Sequence, residues 1–278
     1  MAVQHRRDPS LFKAATTYNA AASHFDAEPL AFWDRHGQRI VQLLDLRPGA
    51  RILDVGCGTG ASALPAAAAV GDLGHVTGID VAEEMLNHAR AKATVQGRRN
   101  IAFENRDMRN SALPDAHYDV VISVFSIFFV DDMRRLLEEL WQKVRPGGKL
   151  AVTTWGPHAF QPCAEIFAGA MSLVRSSGDD MPRPWERLSS QKKLRQLFDG
   201  VSASSLEIVT VSDQQPLRRP EDWWTIVLGS GYRSDIDQLG DCDRARVRDH
   251  MLKGIRAAGV DAIETNAIHA IARKHNDT

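Results

Sequence analysis

Between residues 50 and 155 short apolar runs alternate with helix-like segments, and this alternation limits the possible folds more than any other feature of the chain. "RILDV", "HVTGID", "IAFENRD", "YDVVISVFS" and "KLAVTTW" have the length and the Val/Ile content of strands. Interleaved with them are a helix from about Ala61, then "AEEMLNHARAKATVQ" and "MRRLLEELWQKV". Strand and helix in this order connect by right-handed crossovers, which sets the strands parallel in one sheet buried on both faces. The expected fold is α/β: a doubly wound, Rossmann-like sheet.

The flanks read differently. Residues 10 to 45 carry Leu30, Phe32, Trp33, Ile40, Leu43 and Leu44 at helical spacing, closed by "DLRPGA". Beyond 156 the loop "GDDMPRPW" leads to a helix, "SSQKKLRQLF", with Ser189 or Ser190 as its cap, and then to the strand "SLEIVTV". "RRPEDWWTIVLGSGYR" and further charged helices come after it, and "NAIHAIARK" alternates like a final strand. Helices placed there would cover the carboxyl edge of the sheet, where open α/β folds bind ligands. The expected division, within one continuous domain, is an N-terminal helical cap segment at 1–45, a cofactor-binding core at 46–156, and at 157–278 the C-terminal part of the sheet with helical substrate-cap insertions.

Composition narrows the partners. Lys and Arg number 34 against 35 Asp and Glu, which argues against binding through phosphate neutralisation and hence against nucleic acid. Cys57, Cys163 and Cys242 stand far apart with no CxxC pair, so neither a disulfide framework nor a zinc or other metal site is expected. A reducing cytoplasm fits them. No apolar run reaches membrane-spanning length, and a short transit peptide before Tyr18 is what Arg6 and Arg7 leave open. The chain is expected to act as a monomer or homodimer.

Three glycines at alternate positions, Gly56, Gly58 and Gly60, follow the first strand in "RILDVGCGTG". They let the chain turn sharply and bring backbone N–H groups against a ligand, with Cys57 a small residue that fits between them. The loop also satisfies GxGxx(G/A), so alone it admits either a nicotinamide cofactor or S-adenosylmethionine. Asp54 separates the two: a carboxylate beside pyrophosphate is repulsive, whereas one beside an ammonium and a sulfonium is favourable. Asp80 ends the second strand, followed by Val81, where its two oxygens can accept both ribose hydroxyls. Asp107 can take an adenine amino proton while Met108 and Met85 offer soft apolar walls to the ring.

With these pieces in order, "ILDVGCGTG", "VTGIDVAEEML", "NRDM", "YDVVISVFSIFFVDD" and "LWQKVRPGGKLAVTTW", the chain resembles the class I S-adenosylmethionine-dependent methyltransferases over about residues 45 to 155. Within them it is similar to the small-molecule group of the ubiquinone/menaquinone-biosynthesis methyltransferases. The resemblance implies a seven-stranded, mostly parallel sheet whose last strand runs antiparallel. It further implies that Asp54, Gly56 and Gly58 line the methionine part, Asp80 the ribose, and Asp107 with Met108 the adenine. The Ser123 carbonyl would meet the amino group, and Tyr18 would close over the cofactor.

On the acceptor side, His158 follows the fifth strand and is the candidate general base, with His24 and Asp131 behind it. Phe128 and Phe129 lie just beyond the fourth strand, and Trp155, Trp223, Trp224, Tyr232 and Arg233 are candidate walls of a substrate pocket. No NPPY-like or DPPY-like tetrapeptide follows the fourth strand, which disfavours an exocyclic adenine amine. The expected function is methylation at O, N or C of a small, mostly apolar or aromatic molecule, yielding S-adenosylhomocysteine. The alternatives are a quinone-precursor ring C-methyltransferase and, in another class, a cofactor-binding regulatory protein whose acceptor pocket is filled by Trp223 or Trp224.

Overall fold

A computed structural model of the chain describes residues 9–175 and 183–276. The segment holding Arg6 and Arg7, and most of "GDDMPRPW", lie outside the described residues.

Seven strands form the main sheet: β1 (Arg51–Val55), β2 (His75–Asp80), β3 (Ile101–Asn105), β4 (Tyr118–Val124), β5 (Val144–Trp155), β6 (Ala203–Val211) and, numbered for its place in the chain, β9 (Ala267–Lys274). Their order is β3-β2-β1-β4-β5-β9-β6, with β9 antiparallel to both neighbours and the other six strands parallel. This is the mostly parallel sheet with an antiparallel last strand that the sequence led one to expect. The interior strands read as unbroken apolar runs because helices cover both faces; in β1 every residue after Arg51 is buried.

The helices are α1 (Pro9–Phe25), α2 (Phe32–Leu44), α3 (Ala63–Val70), α4 (Glu83–Val95), α5 (Met133–Lys143), α6 (Cys163–Met171), α7 (Gln191–Leu197), α8 (Glu221–Leu228), α9 (Arg233–Ile236) and α10 (Asp241–Ala258). Ser190 caps α7, its side chain accepting the Lys193 amide at 3.3 Å. The helix after the glycine loop starts at Ala63, two residues later than its sequence pattern suggested, because the loop keeps turning through Ser62. Unforeseen is a two-stranded ribbon of β7 (Gln214–Pro216) with β8 (Ala262–Glu264), too short to show a period. Among the described residues no helix is long and apolar enough to cross a membrane.

Two features of α2 shape the carboxyl end of the sheet. Its His36 is buried and its Nε2 lies 2.7 Å from the Thr265 carbonyl, while Arg35 pairs with Asp213 at 2.7 Å, so the helix is pinned to the turns between β8 and β9 and between β6 and β7. Trp33 stands one turn earlier and reaches over the carboxyl end of the sheet, stacked on Phe25 of α1 at 5.0 Å and 3°. The helices before β1 and those between β6 and β9 thus meet above the point between β1 and β4 where the strand order reverses, the usual ligand crevice of such sheets.

Candidate active site

At that crevice lies an open cleft of about 840 Å³, counted with the solvent at its mouth. Its base is the loop after β1, Gly56, Cys57 and Gly58; one side is Asp80, Val81 and Met85. Met108 and Arg106 close the far end, and Tyr18, Phe25 and Trp33 form the roof. The remaining wall is Val124, Phe125, Ser126 and Phe129.

The loop is held from below: the amides of Gly56 and Cys57 both donate to the Ile79 carbonyl, at 2.8 and 3.0 Å. Gly56 adopts φ +68°, and a Cβ there would sit 2.4 Å from that of Ser126, so both conformation and space require glycine. Asp80 accepts the Gly58 amide at 2.8 Å through one oxygen and the Ala82 amide at 2.9 Å through the other. One carboxylate therefore joins the glycine loop to the start of α4. Burial raises its pKa, and these amide bonds oppose the rise.

Asp54 lies behind the wall, fully buried. Its Oδ2 accepts the Ser62 hydroxyl at 2.6 Å and its Oδ1 has no partner. Burial pushes its pKa up to about 7, against the Ser62 hydrogen bond and with a further upward push from Asp80. A buried carboxyl with an orphaned oxygen beneath a glycine loop is the arrangement that a nearby cation would complete. Burial likewise raises the Cys57 thiol, so it is no reactive thiolate.

The roof is tied down at two points. Asn19 of α1 accepts the Glu84 amide at 3.0 Å, and Asp26 accepts from Thr59 at 2.6 Å and from Lys92 at 2.9 Å. Tyr18 sits edge-on to Phe25 and to Phe129, at 6.2 and 5.5 Å.

Tyr18, Trp33 and Phe125 belong to two cavities at once. Beyond them a tight inner cavity of about 10 Å³, room for about one water, is walled by Phe128, Trp155, Phe160 and Trp185 and ends at Ser230, Gly231 and Tyr232. Phe125 holds φ +52°, a region bulky residues rarely enter. Its amide bond to the Thr153 carbonyl at 2.9 Å and its stack on Trp155 at 4.0 Å keep it there. The strained residue stands at the partition between the two spaces, as strained residues at functional sites often do.

Of the residues singled out from the sequence, Tyr18, Gly56, Cys57, Gly58, Asp80, Val81, Met85 and Met108 come together on the cleft. Ser123 is one layer behind, its hydroxyl 2.7 Å from that of Ser126, and Val124 to Ser126 supply the wall. Asp107 does not reach the wall. Its carboxylate caps the turn at Met108–Asn110 and pairs with Arg109 at 2.8 Å. Phe128, Trp155 and Tyr232 line the inner cavity; Trp223 is buried in the core beside Tyr232, and Trp224 is half-buried, neither on a cavity wall. Arg233 is turned aside to Asp237 at 3.1 Å, and His158 is exposed on the turn after β5, on neither cavity. His24 and Asp131 also stand off both. Sequence reading missed Phe25, Phe125, Ser126, Phe160 and Trp185; of these only Phe125, in "SVFS" beside the Ser123 that was chosen, carried a usable signal.

A family model described as a methyltransferase domain matches residues 52–148. The chain is 34% identical over 149 residues to aklanonic acid methyltransferase DauC of Streptomyces sp. (strain C5), covering 53% of this chain and 68% of that one. It is 32% identical over 135 residues to the ubiquinone/menaquinone biosynthesis C-methyltransferase UbiE of Vibrio parahaemolyticus, covering 48% of this chain and 52% of the relative. The match thus spans two thirds of the first relative and about half of the second. In fold the chain is similar to phosphoethanolamine N-methyltransferase 2 of Haemonchus contortus, solved with S-adenosylhomocysteine, with TM-score 0.54 at 15% identity over 87% of this chain and 53% of the other.

Proposed function

Since this chain belongs to the class I S-adenosylmethionine-dependent methyltransferases, we propose that it methylates a small, mostly apolar or aromatic molecule that approaches from the aromatic side of the cleft. The observation that carries this is the junction: Tyr18, Trp33 and Phe125 are shared by the cleft and an aromatic-walled inner cavity, so a methyl group carried in the first would have aromatic walls around its acceptor.

The residues present fit the cofactor. Asp80 would accept the ribose hydroxyls, Met85 and Met108 would flank the base, and the glycine loop above Asp54 would hold the methionine end. When bound, S-adenosylmethionine supplies a sulfonium methyl already activated for in-line displacement. What the chain adds is position, worth roughly 7 to 11 kcal/mol in well-oriented systems, and a water-poor aromatic enclosure. Among the described residues the inner cavity is lined by no His, Asp, Glu or Lys, and burial holds Tyr18 and Tyr232 above the ordinary phenol range. An acceptor that brings its own nucleophilicity, such as an acidic phenol, an enol or an electron-rich ring carbon, suits these walls.

Ring C-methylation of a quinone precursor remains the second reading, favoured by the similarity to UbiE. Neither Trp223 nor Trp224, which a regulatory reading would have filling the acceptor pocket, lines either cavity. In the methyltransferase reading the helices before β1 and between β6 and β9 serve as substrate cap, and nucleic acid is not a partner.

Calorimetric titration with S-adenosylmethionine, S-adenosylhomocysteine and NAD tests the reading. Micromolar affinity for the two sulfur compounds and none for NAD is expected; the reverse pattern refutes it.

Asp54 adds a pH dependence. Its folded pKa of about 7 lies above the unfolded value, so its contribution favours the fold in acid and is lost as pH rises through 7. A cation bound close by lowers that pKa, and binding below pH 7 must then release a proton. S-adenosylmethionine affinity should rise about tenfold from pH 6 to 8, and an Asp54→Asn variant should bind more weakly with a flatter profile. An unchanged slope in that variant would remove Asp54 from the linkage.

A further inference from the structure

The turn after β4 carries side chains to both spaces: Phe129 stands on the wall of the cleft, and Phe128 walls the inner cavity. It is a single 3-10 turn, Ile127–Phe129, in which the Phe129 amide donates to the Ser126 carbonyl at 3.1 Å, and it leads into extended Val130. So short a turn cannot satisfy its own last carbonyls. Arg187 does so from outside: its Nη2 donates to the carbonyls of Phe128 and Val130 at 2.5 and 2.6 Å, and its Nη1 to that of Asp131 at 3.2 Å.

The donor comes from far along the chain, on the turn Pro184–Leu188, where its Nε also donates to the Pro184 carbonyl at 3.3 Å. That turn is itself fixed. Arg183 just before it pairs with buried Asp235 and lies 4.4 Å over the Tyr232 ring, and Arg175 joins the same carboxylate at 2.7 Å. Trp185, between Arg183 and Arg187, is buried on the wall of the inner cavity and packed against Gly231. One guanidinium therefore ties the segment that bears Trp185 to the turn that bears Phe129. Its planar fork suits three carbonyls set along a turn better than a single ammonium would. Arg187 is exposed, so burial of apolar surface does not account for it.

We propose that Arg187 is a positioning residue for the bound cofactor: by gripping the carbonyls on either side of Phe129, it holds that ring on the cleft wall, edge-on to Tyr18 at 5.5 Å. This deepens the methyltransferase reading and rests on it. Arg187 lines neither the cleft nor the inner cavity, and it acts through the turn alone.

Calorimetry with S-adenosylhomocysteine tests the assignment. Arg187→Ala should weaken binding about tenfold, within the range for residues that act on a site without touching its ligand. Its ligand-free melting temperature should fall by only about 3 °C, because water can reach the released carbonyls. Arg187→Lys keeps the charge but loses the fork, and should bind about threefold more weakly than the unaltered protein. In a Phe129→Ala background, Arg187→Ala should change affinity by less than about twofold, since the ring it positions is gone. A purely structural arginine would cost the same in both backgrounds. Should the alanine variant fail to fold, the lysine variant carries the same comparison. Native affinity in a folded Arg187 variant, or a loss undiminished in the Phe129→Ala background, overturns the proposal. Failure of the unaltered protein to bind S-adenosylhomocysteine would instead overturn the methyltransferase reading, and the proposal with it.

Discussion

If Asp80 holds the ribose as proposed, replacing it by alanine should cost about 10² to 10⁴ in affinity for S-adenosylhomocysteine, because two charge-assisted hydrogen bonds are lost at roughly 1.5 to 3 kcal/mol each. A second cost comes through the loop. The same carboxylate fixes the amides of Gly58 and Ala82, so its removal frees the glycine turn and the start of α4 together. Asp80→Asn separates the two effects. It retains a carbonyl able to hold one amide and loses the charge and one acceptor, so its affinity should fall between those of the native and alanine proteins. Calorimetry gives the affinities, and melting curves report whether the ligand-free fold survives. Native affinity in a well-folded alanine variant would mean that the ribose lies elsewhere.

The place of Asp80 on the cleft was legible because it is local: it ends a strand, 20 residues past the third glycine, at the carboxyl edge of the sheet. The glycine turn and the strand order were legible for the same reason, since short-range pattern and crossover handedness fix them. The acceptor side was not. Trp155 and Phe125 stack because the ends of β4 and β5 are neighbours in the sheet, and Phe125 takes a left-handed backbone that no residue preference suggests. Trp185 and Phe160 arrive from loops, whose placement is tertiary. Asp107 shows the converse failure: its position in the chain suits an adenine contact, but Arg109 two residues on offers a bidentate partner and draws the carboxylate aside. Arg233 was lost in the same way to Asp237. Charged side chains with a nearby partner are thus the least readable, because pattern cannot decide between a ligand and a neighbour.

Gly37 shows how far the cleft depends on packing outside it. Within a helix, exchange of glycine for alanine is ordinarily stabilising by up to about 1 kcal/mol. At Gly37 in α2 the sign should reverse. A Cβ there would stand 2.2 Å from the Ala61 carbonyl oxygen, 2.4 Å from its carbon and 2.9 Å from the Ser62 amide. All three are backbone atoms, so no rotamer change relieves the overlap; either α2 lifts or the segment after the glycine loop sinks. Pinned at His36 to Thr265 and at Arg35 to Asp213, α2 cannot lift freely. Gly37→Ala should therefore destabilise the protein by about 3 kcal/mol, the upper range for overpacking, and lower the melting temperature by about 10 °C for a chain of this size. Cofactor affinity should fall with it, since Ser62 holds the Asp54 carboxyl and Trp33, one turn before Gly37, roofs the cleft. An unchanged or raised melting temperature would show that α2 does not bear on the loop. Loss of stability with native affinity would confine the contact to packing and sever it from the site.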